Sequence, residues 1–230
     1  MTTRLLLVVA LLASAALVFN SCSRQRGGAA EDTTPPDANT VNEERDVTGF
    51  TRVVLALPGE LEIVQNGAES VSVEAEEALL PNVRTRVQGN TLVIDTDAPN
   101  FSTNQPLRFT VYMYELTGLT VEGAGEVIAE NLELETLELS IDGAGSAALS
   151  GEAQEVVVAI DGAGEVYARG LESNTVTLVL NGVGEVEACA LESFNAEVNG
   201  AGGVRYYGDP DETEVSVNGA GDVERAGGCG

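Results

Sequence analysis

Glycines and carboxylates, set side by side at a regular interval, are the residues of this chain whose types could do chemistry. The stretch "VEGAGEVIAENL" opens at Val121, and later stretches read "IDGAGSAALSG", "IDGAGEVYARG", "LNGVGEVEACA", "VNGAGGVRYYG" and "VNGAGDVERAG". Each holds a Gly-x-Gly: Gly123 and Gly125, Gly143 and Gly145, Gly162 and Gly164, Gly182 and Gly184, Gly200 and Gly202, Gly219 and Gly221. A phosphate cradle needs a third glycine, G-x-G-x-x-G, and a helix starting there. The third-glycine position is Ile128 after Gly123 and Tyr167 after Gly162, and no helical pattern follows any copy. A phosphate site is also needed once, whereas this motif recurs along half the chain. Repetition points to glycine as a corner, where it reaches positive φ at little steric cost and lets backbones approach. The motif implies no cofactor.

Beside the corner, Glu126, Glu165, Glu185 and Asp222 share one position, interrupted by Ser146 and Gly203, while Asp142 and Asp161 lie on its other side. Stacked carboxylates repel, so water and salt, or a cation such as Ca²⁺, must offset them. The G-G-x-G-x-D pattern of Ca²⁺-binding β-rolls is absent. A solvated, salt-screened face is the plainer reading of such a run, with the four acids kept as metal candidates. Asn181, Asn199 and Asn218 occupy the position of the two aspartates and predict a side-chain amide ladder that closes a turn. Paired carboxylates also suit glycoside hydrolysis, although in so acidic a chain some pair always falls at a workable separation. Between Arg108 and Arg225 the only basic residues are Arg169 and Arg205, which opposes lyase chemistry on an acidic glycan.

Composition narrows the chemistry further. The 230 residues contain no His, and all 11 basic residues are Arg. That removes the usual general base, the Ser-His-Asp arrangement, lysine Schiff bases and the phosphate-loop lysine. Net charge is −26, and the first 22 residues contribute one Arg and no acid. Nucleic acid and anionic membrane surfaces are therefore excluded as partners by charge. High acid without Lys resembles a halophile's composition, in which acidity reports habitat rather than a site. Cys189 and Cys229 could pair in an oxidising compartment, but their spacing does not demand it. By register Cys189 matches Glu130 and Arg169, so it is expected to point outward. Tyr112 with Tyr114, and Tyr206 with Tyr207, offer a sugar-stacking surface or fill and cap the core.

The elements that must position these residues are strands. The first glycines follow one another at 20, 19, 20, 18 and 19 residues. Each motif is preceded by an aliphatic residue (Val121, Ile141, Ile160, Leu180, Val198, Val217) and followed by Val127, Ala147, Val166, Val186, Val204 or Val223. Between motifs run alternating segments such as "TLELSI" and "EVVVAI". A unit of this length cannot bury its own aliphatic face, so copies must stack. The reading is all-β: a parallel β-helix or solenoid of about 19-residue coils, with a strand-rich part before it. In that part, "FTRVVLALPGELEIVQNG" reads as a hairpin around Pro58-Gly59, "NVRTRVQGNTLVIDTD" turns at Gly89-Asn90, and "LRFTVYMYEL" puts Phe109, Val111 and Met113 on one face. Glu74 to Pro81 is the one stretch compatible with a short helix.

At the other end, "MTTRLLLVVALLASAALVFNSCSRQ" has Arg4 and then an apolar run from Leu5 to Phe19, the length of a signal-peptide core rather than a spanning helix. Asn20-Ser21-Cys22-Ser23 resembles a bacterial lipobox of the looser Bacteroidota type, which implies lipidation of Cys22. An ordinary secretory cut after Ala13-Ser14-Ala15 is the alternative. Residues 23–44 hold Pro35-Pro36, threonines and mixed charges, and read as a tether. The organisation expected is a signal segment 1–22, a tether 23–44 and one folded domain 45–228, with repeats from about residue 121.

The recurrent [DN]-G-[AV]-G-[DE]-V, preceded by alternating strands and a lipoprotein-like signal, resembles the head GIN domain family of auto-transporter adhesin-like proteins. The resemblance covers Arg45 to Gly228. It implies a β-helical structure, no established enzymatic activity, secretion across the inner membrane and an outer-membrane, cell-surface or periplasm-facing location. The expected role is a non-catalytic envelope module for binding, adhesion or structure, meeting a membrane only through its lipid and a surface glycan or protein as partner. A carbohydrate-active enzyme using carboxylates on the β-helix face, and Ca²⁺ binding along the acidic row, are the alternatives.

Overall fold

The structure, a computed structural model, describes residues 40–98, 101, 103 and 107–229. Cys22, the signal segment and most of the tether lie outside the described residues, while Thr40–Glu44 fall within a strand. Thirteen strands form one hydrogen-bonded sheet among these residues: β1 (Thr40–Arg45), β2 (Arg52–Leu55), β3 (Gly59–Gln65), β4 (Ser70–Glu76), β5 (Val83–Gln88), β6 (Thr91–Thr96), β7 (Arg108–Met113), β8 (Gly118–Gly123), β9 (Gly125–Gly143), β10 (Ser146–Val198), β11 (Ala201–Tyr207), β12 (Glu212–Val217) and β13 (Asp222–Gly227). The protein is all-β. Glu74 to Pro81 is no helix: β4 runs to Glu76, and only a 3-10 turn, Leu80–Asn82, follows. Val71, Val73 and Ala75 alternate into the core through this stretch, so period-two burial overrides its helix-forming glutamates.

From β2 onward the pairing is mainly parallel and repeats tier on tier. Ser146 lies beside Glu126, Val156 beside Leu137 and Asp161 beside Asp142. Val183 to Cys189 run beside Ala201 to Tyr207, and Gly203 to Tyr206 run beside Asp222 to Arg225. The stacking begins earlier than the motif does. β3 pairs with β9 so that Gly59 is level with Gly125, and β2 pairs with β8. Pro58-Gly59 is therefore not a hairpin turn, because β2 and β3 do not pair with each other. It is a corner of the same kind as the later ones, with a Cβ on Gly59 falling 2.7 Å from the Leu107 carbonyl oxygen. Gly89-Asn90 does close a hairpin, β5 with β6.

Antiparallel partners terminate the stack at its N-terminal end: β1 on β4, β4 on β7, and β5 on β6. Inside, alternate residues bury a continuous aliphatic core, including Val121, Ile141, Ile160, Leu180 and Val198 at 0% exposure. Phe109, Val111 and Met113 are buried together as their spacing predicts. Each buried aliphatic contributes roughly 1.5–3 kcal/mol of transfer free energy, so the ladders dominate the stability of a chain with few aromatics. No helix among the described residues is long and apolar enough to cross a membrane.

Candidate functional site

The motif glycines stack tier on tier: Gly123 is level with Gly143, Gly143 with Gly162, and Gly184 with Gly202. Gly143 and Gly162 have φ of 142° and 140°, in the region that favours glycine. A Cβ on Gly143 would fall 2.6 Å from the Gly123 carbonyl oxygen. At Gly200 the constraint is approach alone, with Gly182 N at 2.9 Å from such a Cβ. Gly125, Gly145, Gly164 and Gly184 floor a shallow groove of about 560 Å³ that follows this edge, with Glu60, Glu126 and Glu165 on its rim. The groove contains no cluster of amide donors at a helix start, the arrangement a phosphate requires.

One side of the turn is closed by the amide ladder the sequence predicts. Asn218 donates to Asn199 (3.1 Å), Asn199 to Asn181 (3.0 Å), and Asn181 to the Asp161 carboxylate (2.9 Å). An amide both donates and accepts, so the chain of bonds can continue through asparagines. It ends at Asp161, because a carboxylate only accepts, and Asp142 on the next tier is acidic as well.

On the other side the acidic row is exposed and in register. Glu60 is level with Glu126, Glu126 with Ser146, Glu185 with Gly203, and Gly203 with Asp222. Glu165 accepts a hydrogen bond from the Tyr167 hydroxyl (2.7 Å), which raises the tyrosine's pKa, assisted by desolvation and the nearby Glu185 and Glu187. Arg205 reaches Glu187 (3.3 Å), Glu224 (3.4 Å) and Glu185 (3.8 Å), and its pKa is raised first by the charge of Glu185. Arg108 binds Glu60 at 2.8 Å, and that hydrogen bond is the main cause of its raised pKa. Among the described residues no three His, Cys, Asp or Glu groups are arranged to hold a metal ion. Ser146 and Gly203 break the row, and arginine or tyrosine takes up part of it.

Next to this row, Ile128, Ala148 and Tyr167 form a shelf beside Arg169, around a hollow of about 290 Å³. Ile128 is 42% exposed and Tyr167 43%. The guanidinium of Arg169 sits 4.4 Å from the centre of the Tyr207 ring. Sequence reasoning missed this shelf. Its signal was the outward phase of Ile128 and Tyr167, each two residues beyond an acid-row position. The tyrosine pairs singled out from sequence divide differently: Tyr114 is exposed, Tyr206 stacks on Phe194 at 4.4 Å, and Tyr207 is buried.

A hollow of about 1080 Å³ opens between β1 and β5, and its arginines are already paired. Arg84 and Arg86 both bind Asp95, at 3.1 and 2.6 Å, and Arg45 binds Glu43 at 3.0 Å. Burial alone would raise the Asp95 pKa, but hydrogen bonds and charge from Arg86 and Arg84 outweigh it and hold the carboxyl below its ordinary value.

Cys189 and Cys229 form a disulfide. The register predicts that Cys189 points outward to solvent, but it is 0% exposed. Its outward phase is covered by the returning C-terminal segment, whose Gly227 carbonyl accepts a hydrogen bond from the Gly208 amide (2.8 Å).

A family model described as "Putative auto-transporter adhesin, head GIN domain" matches residues 49–210. The chain belongs to the head GIN domain family. Its match begins just before β2 and covers the first five of the six glycine motifs. Comparison with curated proteins finds no match. The head GIN chain is similar in fold to a solved "putative adhesin" from Bacteroides fragilis NCTC 9343, with TM-score 0.69, 22% identity, and coverage of 83% of this chain and 99% of that one. It is also similar to a solved "Putative lipid binding protein" from Parabacteroides distasonis ATCC 8503, with TM-score 0.53, 18% identity, and coverage of 83% and 98%.

Proposed function

We propose that this head GIN protein is a non-catalytic binding and adhesion module of the cell envelope, held at a membrane by a lipid on Cys22 and set off from it by residues 23–39. The observation that carries the reading is the family match across 49–210. The tiers are coils of a parallel β-helix in this reading, and the motif glycines are its corner. Such a body supplies a stiff support with long flat walls, which suits contact with an extended ligand better than enclosure of a small one.

The wall position that fits a glycan is the shelf of Ile128, Ala148 and Tyr167. An exposed tyrosine ring stacks on the C–H face of a sugar, while Glu130 and Ser150, which line the same hollow, offer polar groups to its hydroxyls. The acidic surroundings select an uncharged or amine-bearing sugar over an acidic one. A carbohydrate-active enzyme would need a carboxyl held protonated near neutral pH.

A glycan array probed with the full chain tests the ligand class. Binding to neutral or amine-bearing glycans that Tyr167→Ala abolishes supports the shelf; binding unchanged by that substitution, or none, overturns it. Mass spectrometry of the mature N-terminus tests the anchor. A diacylglyceryl-modified Cys22 supports it, and an unmodified N-terminus at another residue sinks it.

A further inference from the structure

The aliphatic ladder that runs up the core stays fully covered from Val121 to Val198, then breaks at its last rung. Val217 is 40% exposed and Val215 is 43% exposed, while Ala196, level with Val215 on the tier below, is 5% exposed. Among the described residues β12 pairs only with β10, and β13 only with β11. Their outer edges therefore carry unpaired N–H and C=O groups beside uncovered core side chains. Edge strands are normally blunted by Lys, Pro, a bulge or an inward charge. Glu212–Val217 reads ETEVSV: it has no Lys, Pro or inward charge, and its two charges are the outward Glu212 and Glu214. A strand added here gains main-chain hydrogen bonds and apolar contact together.

Charge decides what that strand is. Thr213, Val215 and Val217 continue the inward phase of Phe194, Ala196 and Val198, which turns Glu212, Glu214 and Ser216 outward. Glu212 and Glu214 form no ion pair among the described residues. Arg225 is tied to Asp209 (3.0 Å) and the Gly208 carbonyl (2.7 Å), and Arg205 is shared among three glutamates. The end thus keeps unneutralised acids at Asp211, Glu212, Glu214 and Asp222. A second copy docking by the same end would oppose like charges, which disfavours it.

We propose that the open C-terminal end of the stack takes an extended segment of another polypeptide, alternating aliphatic and basic residues, as one more strand along β12. Its aliphatic residues cover Val215 and Val217, and its Lys or Arg side chains fall beside Glu212 and Glu214. The match is geometric: alternate residues repeat at about 6.6–6.8 Å in both strands, and paired strands lie about 4.8 Å apart. This inference concerns the end of the stack and stands or falls independently of what the walls bind.

The test is fluorescence anisotropy of the full chain with a short blocked peptide in which Val and Lys alternate. Two controls accompany it: a Val–Glu alternation, and the Val–Lys composition scrambled so that the lysines cluster. The alternating Val–Lys peptide is expected to bind at least about tenfold more tightly than either control. The double variant Glu212→Lys, Glu214→Lys is expected to reverse the preference toward the Val–Glu peptide, and bound peptide should slow hydrogen exchange at Glu212–Val217. Equal binding of the scrambled peptide would mean simple attraction to an acidic surface and would overturn the proposal. So would a preference that the double variant leaves unchanged, or concentration-dependent self-association abolished by that variant.

Discussion

The two ends of the stack are built from the same kinds of strand but are finished differently. At the N-terminal end the chain reverses direction: β1, β4 and β5 pair antiparallel, and Arg45 donates to the carbonyls of Val83 (2.8 Å) and Leu80 (3.3 Å), fastening β1 to the segment leading into β5. Leu80 and Val83 are buried there. At the C-terminal end the last tier simply follows the one before it, all of β12 is exposed, and a disulfide pins the tail back across two tiers, to Cys189 in β10. A parallel stack propagates its own exposed edge, and only a change of strand direction, a cap or a partner ends it. The N-terminal end has the first; among the described residues the C-terminal end has none of the three.

The comparison can be broken most severely in the middle of the stack. Gly162→Val puts a branched side chain at a φ of 140° and against the Gly143 backbone, and is expected to cost upward of about 4 kcal/mol or abolish folding. Gly219→Val, at a tier free to move outward, should cost under about half as much; equal losses in denaturant melts would show that the open end is as constrained as the middle. Replacing Cys189 and Cys229 with Ser releases a closure of 40 residues and is expected to cost about 3–4 kcal/mol by the loop-entropy model. Hydrogen exchange should rise in β11 to β13 and stay unchanged in β1 to β7. Spread of the effect to β1 would mean that the ends are coupled.

A smaller contrast compares two rungs of one ladder. Val198→Ala should lower stability by about 2 kcal/mol, and Val217→Ala by under about 0.5 kcal/mol, since the second side chain is still largely in water. Similar losses for the two would mean that the end is covered in solution. The smallest effect is electrostatic and belongs to the capped end. The folded-state pKa of Asp95 lies below its unfolded value of 3.8. Its contribution is therefore complete above about pH 4 and is lost as pH falls through the lower folded value. Asp95→Asn should bring the pH 7 stability toward that of the parent at pH 3 and reduce the acid dependence. An unchanged acid limb would assign acid sensitivity to other carboxylates.

Much of this was legible in single residues. Six Gly-x-Gly motifs at near-constant spacing announced stacked units, and Asn181, Asn199 and Asn218 announced their amide ladder, because each signal is local and repeats. Pro58-Gly59 misled for the same reason: a corner and a hairpin use the same residues, and only the partner strand tells them apart. Cys189 misled because its phase is outward, and what covers it arrives 40 residues later. The Tyr167 shelf was illegible because Ile128, Ala148 and Tyr167 come from three different tiers.

The sequence by itself determined the all-β class, the repeat, the inward aliphatic position before each glycine motif and the acidic character, since period and charge are written one residue at a time. Tertiary structure alone decided that the stack begins at Gly59 rather than Gly123, that Cys189 lies beneath Cys229, and that one end is closed while the other is open. These depend on which distant strand pairs with which, and parallel pairing joins residues that no local pattern connects.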